Sequence, residues 1–104
     1  SDGHFGVDIV LKERTPIKSI SDGIVIFSAW TLNYGYTIVV YHKNKLTSIY
    51  KHNGSIKVEK GDFVMSGEVI ALSGNTGDLT TGPHLHFEIW DSQGTLNPED
   101  LISF

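Results

Sequence analysis

The chain has no cysteine among its 104 residues. That absence removes disulfides, thiolate metal sites and thiol nucleophiles together, and any metal bound here must take its ligands from histidine and carboxylate. Basic residues are also few: 8 Lys and Arg stand against 12 Asp and Glu, a formal net charge of -4. Proteins that capture nucleic acid normally present a basic surface that displaces counterions from phosphates, so no nucleic-acid partner is expected. No apolar run approaches the roughly 20 residues that a membrane-crossing helix needs, and Ser1 to Val10 carries no signal-peptide pattern. Membrane insertion by this segment is therefore not expected. Low-complexity stretches, charge blocks and Pro/Ser-rich linkers are missing too. With 39% hydrophobic and 11% aromatic residues, what is there predicts one ordered domain over residues 1–104 with a single core.

Short runs rich in β-branched and aromatic residues, separated by Gly, Asn and Asp, predict strands at Ile24 to Trp30, Tyr36 to His42, Lys45 to His52, Glu68 to Ser73 and His84 to Asp91. Ile24-Val25-Ile26-Phe27 and Ile38-Val39-Val40-Tyr41 are apolar on both alternating faces, which predicts strands covered on both sides. The expected class is mostly β, a compact antiparallel layered sheet or barrel-sandwich. Ile20-x-x-Gly23-x-Val25-Ile26 recurs as Val64-x-x-Gly67-x-Val69-Ile70, a hint of duplicated strand-turn-strand units. Lys43-Asn44 has the size of a two-residue hairpin turn. Asn97, Pro98, Glu99 and Asp100 carry the cap and charge signals of one short C-terminal helix. Gly74-Asn75-Thr76-Gly77 and Thr80-Thr81-Gly82-Pro83 are expected to turn the chain into the His84 strand. A nucleotide-binding loop is disfavoured there, because the GxxxxGK[ST] pattern is absent and no helix follows.

His84-Leu85-His86 alternates polar and apolar residues in a strand-like run, so both imidazoles project from one face and Leu85 and Phe87 from the other. Alone, an HxH fits an ordinary surface strand better than a site. His4-Phe5-Gly6-Val7-Asp8 adds a histidine and a carboxylate of one parity in an extended segment, with Gly6 leaving room for an ion. Joined, the two segments offer nitrogen, nitrogen and carboxylate donors. Such a set holds zinc and leaves a fourth tetrahedral position for water, as catalytic sites do.

His4-x-Gly6-x-Asp8-Ile9, Tyr50-x-His52 and Gly82-Pro83-His84-Leu85-His86-Phe87-Glu88 resemble the signatures of the lysostaphin-type, or LytM-domain, zinc metallopeptidases. The resemblance extends through Thr15-Pro16-Ile17, Asp22-Gly23-x-Val25, Val58-x-x-Gly61-Asp62-x-Val64-x-x-Gly67-x-x-Ile70, Gly74-x-Thr76-Gly77 and Asn97-Pro98, nearly the whole chain. It implies that His4, Asp8 and His86 hold one Zn²⁺, that His84 stays unligated, and that His84 and His52 are the catalytic histidines. It further implies a peptidoglycan peptide as substrate, either crosslink or stem, and a place in the cell envelope, periplasmic or extracellular. A chain opening three residues before a ligand is expected to be trimmed from a longer envelope protein.

The chemistry agrees with that division. Zinc lowers the pKa of bound water toward ~7, yet there is no HExxH glutamate to manage the proton. His84 and His52 can accept it, hydrogen-bond an oxyanion or protonate the departing amine, and either can take either role. Protonating a histidine ligand removes its lone pair, so zinc affinity is expected to fall below a pH of about 6. Tyr50 shares strand parity with His52 and reads as a packing residue, with a substrate contact as the alternative. Glu88 shares parity with the HxH and reads equally as a partner for a ring N–H or as an exposed carboxylate. His42 reads as a strand-end surface residue. Two other functions fit less well. A non-catalytic LytM-like activator of other cell-wall hydrolases would have kept all three ligands and both catalytic histidines unused. A phosphocarrier or swinging-arm module needs one histidine or one lysine and leaves the rest without purpose.

Overall fold

Leu85 and Phe87 settle the register of the sheet. Both point inward from a strand spanning His84–Asp91 and are 6% and 1% exposed. Burying a side chain of this size contributes about 1.5–3 kcal/mol. A slip of one residue would put His84 and His86 in their place, so the alternation holds the two imidazoles on the outer face.

The computed structural model describes residues 6–75, 84–91 and 94–96. Its strands are β1 (Gly6–Val10), β2 (Pro16–Lys18), β3 (Gly23–Thr31), β4 (Gly35–His42), β5 (Thr47–Ile56), β6 (Phe63–Val64), β7 (Val69–Ser73), β8 (His84–Asp91) and β9 (Gly94–Leu96). They form an antiparallel sheet in the order β1-β8-β5-β4-β3-β6, with β2 on β7, β7 on β5 and β9 on β8. The core lies on the inner face, where Val25, Ile38, Val40, Tyr50, Ile70, Ala71, Phe87 and Ile89 are essentially inaccessible. The mostly-β antiparallel architecture is the expected one. The two related strand-turn-strand units lie against each other: β2 pairs with β7, and Gly23 of β3 pairs with Val64 of β6.

Local details depart from the expectations. The hairpin between β4 and β5 turns through three residues, Lys43–Lys45, and not two. The His42 N–H donates to the Leu46 carbonyl at 2.7 Å, and the positive φ falls on Lys45 at 62°. This is a three-residue hairpin whose last residue is left-handed. The double-sided cover predicted for Ile24 to Phe27 is absent among the described residues, and Ile24, Ile26 and Phe27 are exposed. Among the described residues β3 has only the two-residue β6 on its far side, and its ladder to β4 shifts register between Val25 and Phe27, which turns both Ile26 and Phe27 outward. Gly74, where a turn is expected to start, is a crossing point, where a Cβ would overlap the backbone of Gly54, and Thr76 and Gly77 of that turn lie outside the described residues. The helix expected from Asn97 and the turn from Thr80 to Pro83 lie outside the described residues.

Candidate metal centre

Strand pairing brings the predicted ligands into one row. On the outer face Asp8 of β1 stands opposite His86 of β8, which stands opposite Lys51 of β5. His86 Nδ1 lies 2.7 Å from Asp8 Oδ1, and His86 Nε2 lies 2.8 Å from Glu88 Oε2. His84 Nε2 is 3.6 Å from the same Asp8 oxygen. His4, the remaining predicted ligand, lies outside the described residues. Among the described residues no group of three histidine or carboxylate side chains is gathered closely enough to hold an ion. Of the three residues expected to hold a metal, Asp8 and His86 are described and lie within 2.7 Å of each other.

Glu88 is buried and serves as a hub. It accepts hydrogen bonds from His86, from Lys51 Nζ at 2.8 Å and from Trp90 Nε1 at 2.9 Å. Burial alone would push its carboxyl up, but these donors outweigh burial and hold it well below the usual carboxylate range. Of the two readings of Glu88, the structure places it as partner of a ring N–H. The Glu88 hydrogen bond, helped by Asp8 and opposed by burial, raises the His86 imidazole above its ordinary 6.5. With a carboxylate on each ring nitrogen, the metal-free ring is best satisfied as an imidazolium.

Gly6 is crowded by the side chains of the site itself. It stands opposite Glu88, and a Cβ there would lie 2.8 Å from His86 Nε2 and 2.9 Å from Glu88 Cγ. The missing side chain makes room for the His86–Glu88 pair. Gly6→Ala should leave the sheet folded, displace the His86 ring and weaken zinc binding by roughly the 10–100-fold that loss of an outer partner causes. Chelator competition measures it, and unchanged affinity would contradict the packing account.

Tyr50 and His52 do not share a face. β5 carries a left-handed residue at His52, φ 65°, whose N–H donates to the Tyr34 carbonyl at 2.7 Å. The register shifts on either side, between Tyr36 and Ile38 and between Asn53 and Ser55. This bulge turns His52 toward His84, with ring centroids 5.2 Å apart, while Tyr50 packs on Phe87 in the core. The Tyr50 hydroxyl is 2.9 Å from Ser48 Oγ and accepts the Ile20 N–H at 3.2 Å, and burial raises its pKa. The parity argument for a substrate contact at Tyr50 is thereby corrected: its hydroxyl is spent inside the core. His42 is no surface residue either. It is 4% exposed, donates Nδ1–H to the Asp22 carbonyl at 2.8 Å and accepts from Ser48 at Nε2 across 2.7 Å.

The left-handed backbone at His52 costs an ordinary L-residue roughly 1–2 kcal/mol. His52→Gly should therefore be about 1 kcal/mol more stable than His52→Ala, although both lose the imidazole. Urea unfolding of the two variants checks this, and equal stability would mean the strain is absent.

The matching family model, Peptidase family M23, covers residues 2–98, and so takes in His4 and the HxH alike. The chain belongs to peptidase family M23. It is 40% identical over 86 residues to the peptidoglycan DD-endopeptidase ShyA of Vibrio cholerae, covering 83% of this chain and 20% of the relative. To the glycyl-glycine endopeptidase ALE-1 of Staphylococcus capitis it is 39% identical over 88 residues, covering 82% and 24%. The catalytic domain of the antimicrobial peptidase lysostaphin from Staphylococcus simulans superposes with a TM-score of 0.86 at 31% identity, over 93% of this chain and 77% of that one. A zinc-containing peptidase from Vibrio cholerae superposes with a TM-score of 0.83 at 37% identity, over 88% of this chain and 28% of that one. The M23 chain spans about a quarter or less of the length of these curated relatives.

The donors of the M23 domain fit a zinc ion chemically. They are imidazole and carboxylate without sulfur, and His86 has its second nitrogen anchored on the buried Glu88 carboxylate, the arrangement that orients metal-binding histidines. A cation held by His86 and Asp8 would have to displace the proton that lies between them. Because that proton is held above the ordinary value, zinc affinity should begin to fall while the pH is still above 6.5, higher than an unperturbed imidazole would give. In the metal-free domain the signs are separate. The His86 contribution to stability is complete below 6.5 and is lost as pH rises through its raised value. The Glu88 contribution is complete above 4.5 and is lost as pH falls through its depressed value. Metal-free protein should thus resist urea better at a pH of about 5.5 than at about 8.5, and a reversed order would contradict the imidazolium.

Proposed function

We propose that this M23 domain is a zinc-dependent endopeptidase that hydrolyses peptide bonds of bacterial peptidoglycan, in crosslinks or stem peptides. The observation that carries the reading is the convergence of Asp8 with both imidazoles of the HxH, His86 at 2.7 Å and His84 at 3.6 Å, on the outer face of the sheet. His4, Asp8 and His86 would hold the metal. The chemistry that a zinc ion held there would supply is activation of a water and polarisation of the scissile carbonyl. His84 stands beside Asp8 with its ring packed near that of His52. The two imidazoles would take a proton from attacking water and return one to the departing amine. Relatives named as a DD-endopeptidase and a glycyl-glycine endopeptidase support the substrate class and differ in the bond named. The domain would work in the cell envelope as one part of a longer protein.

Incubation of purified peptidoglycan with zinc-loaded and chelator-stripped domain tests this. New amine termini and shortened muropeptides are expected from the loaded form alone. Zinc binding without any cleavage would favour the regulatory alternative, and cleavage unaffected by stripping would refute the metal.

A further inference from the structure

Lys51 lies inside the site, and the scheme above gives it no task. Its ammonium is 2.8 Å from Glu88 Oε2, the oxygen that also faces His86 Nε2. On its other side the ammonium sits 3.9 Å from the centroid of the Tyr34 ring. Tyr34 meets the His52 ring edge-on at 6.1 Å and accepts the His52 backbone N–H on its carbonyl. One cation therefore touches the carboxylate behind His86 and the aromatic ring beside His52.

A lysine on a sheet normally runs its stem along apolar surface and leaves its strongly hydrated ammonium in water. Lys51 is only 9% exposed. A buried ion pair rarely improves stability over apolar residues of the same shape, and its best-attested value is to specify one arrangement. Here the arrangement specified is that of the two imidazoles. Glu88 holds His86 only if its own oxygens are held, and the Lys51 and Trp90 donors do so from two directions. The cation over Tyr34 fixes the ring against which His52 packs.

We propose that Lys51 is a positioning residue that ties the two halves of the site together, pressing Glu88 onto His86 on one side and Tyr34 onto His52 on the other. The assignment of His86 as a metal ligand rests on the proposed function; the clamp itself rests on the contacts. If the clamp acts in this way, its loss loosens both rings at once, weakening the metal and slowing turnover while substrate binding changes little.

The test compares Lys51→Met and Lys51→Arg with the unaltered domain, metal-free and zinc-loaded. Lys51→Met is expected to lower zinc affinity, read by chelator competition, by about 10-fold or more. It should also shift the ring ¹⁵N signals of His86 and His52 in metal-free protein, and lower kcat with KM nearly constant. Lys51→Arg, which keeps the charge, should restore most of each effect. Folded Lys51→Met with unshifted ring signals and unchanged zinc affinity would overturn the proposal. Should Lys51→Met fail to fold, Tyr34→Leu is read instead: a shifted His52 ring signal supports the clamp and an unshifted one overturns it. The ring signals are recorded without metal, so an unaltered domain that binds no zinc would defeat the peptidase reading and leave the test of Lys51 standing.

Discussion

Alanine at His86 is expected to cost the domain its zinc and its activity together, whereas alanine at His84 should cost turnover alone. His86 faces Asp8 at hydrogen-bond distance with its far nitrogen anchored on Glu88. Removing it deletes a donor and its support in one step, and zinc affinity should fall by more than the roughly 100-fold upper end seen when only an outer partner is lost. His84 stands further from the same carboxylate oxygen, 3.6 Å, and packs against His52. Its loss should leave most of the zinc in place and reduce kcat by about 10²–10⁴, the range for removing a general acid or base. Dialysis followed by metal analysis, with peptidoglycan turnover measured on the same samples, separates the two. Equal zinc loss in both variants would contradict the division of roles within the HxH.

Glu88→Leu should produce the largest loss of stability of any single change near the site. The Glu88 carboxylate is 1% exposed and meets an ammonium that is itself nearly buried. Removing one partner of such a pair leaves an uncompensated charge and costs about 3–5 kcal/mol, a large share of the 5–15 kcal/mol that holds a typical domain. Adding Lys51→Met to Glu88→Leu removes the stranded charge as well, and most of the stability should return. Zinc affinity should not return with it, because His86 still lacks its anchor. Urea unfolding with an unchanged m-value measures the first effect and chelator competition the second. Recovery of both in the double variant would show that Glu88 matters only for folding.

How far the site could be read in advance follows the regularity of each strand. β8 keeps strict alternation between His84 and Asp91, so the shared face of the two histidines and the burial of Leu85 and Phe87 were legible from a period of two. β5 breaks that period at His52, where a left-handed residue and two register shifts reverse the parity that seemed to join Tyr50 to His52. Nothing in Tyr50-x-His52 announces a bulge, since the turn toward His84 depends on a carbonyl of distant Tyr34. Lys51 and Glu88 do carry a signal, opposite charges in otherwise neutral runs, Leu46 to Ile56 and Leu85 to Trp90, on strands that prove to be neighbours. Cross-strand charge pairing of this kind is visible only once register is known. β2, β6 and β9 are two or three residues long, too short for any periodicity to mark them. The buried His42–Ser48–Tyr50 chain was hidden for a related reason, because a histidine beside a turn looks exposed until its partners arrive from Asp22 and β5.

The central claim, that two imidazoles and one carboxylate hold a zinc ion on this sheet face, is tested most directly by X-ray absorption at the zinc edge of the loaded domain, with His4→Ala and His86→Ala alongside. Four light-atom neighbours are expected, with the outer-shell scattering of two imidazole rings in the unaltered protein and of one ring at most in either variant. A spectrum with two rings that survives His86→Ala unchanged, or a domain that takes up no zinc at all, would contradict it.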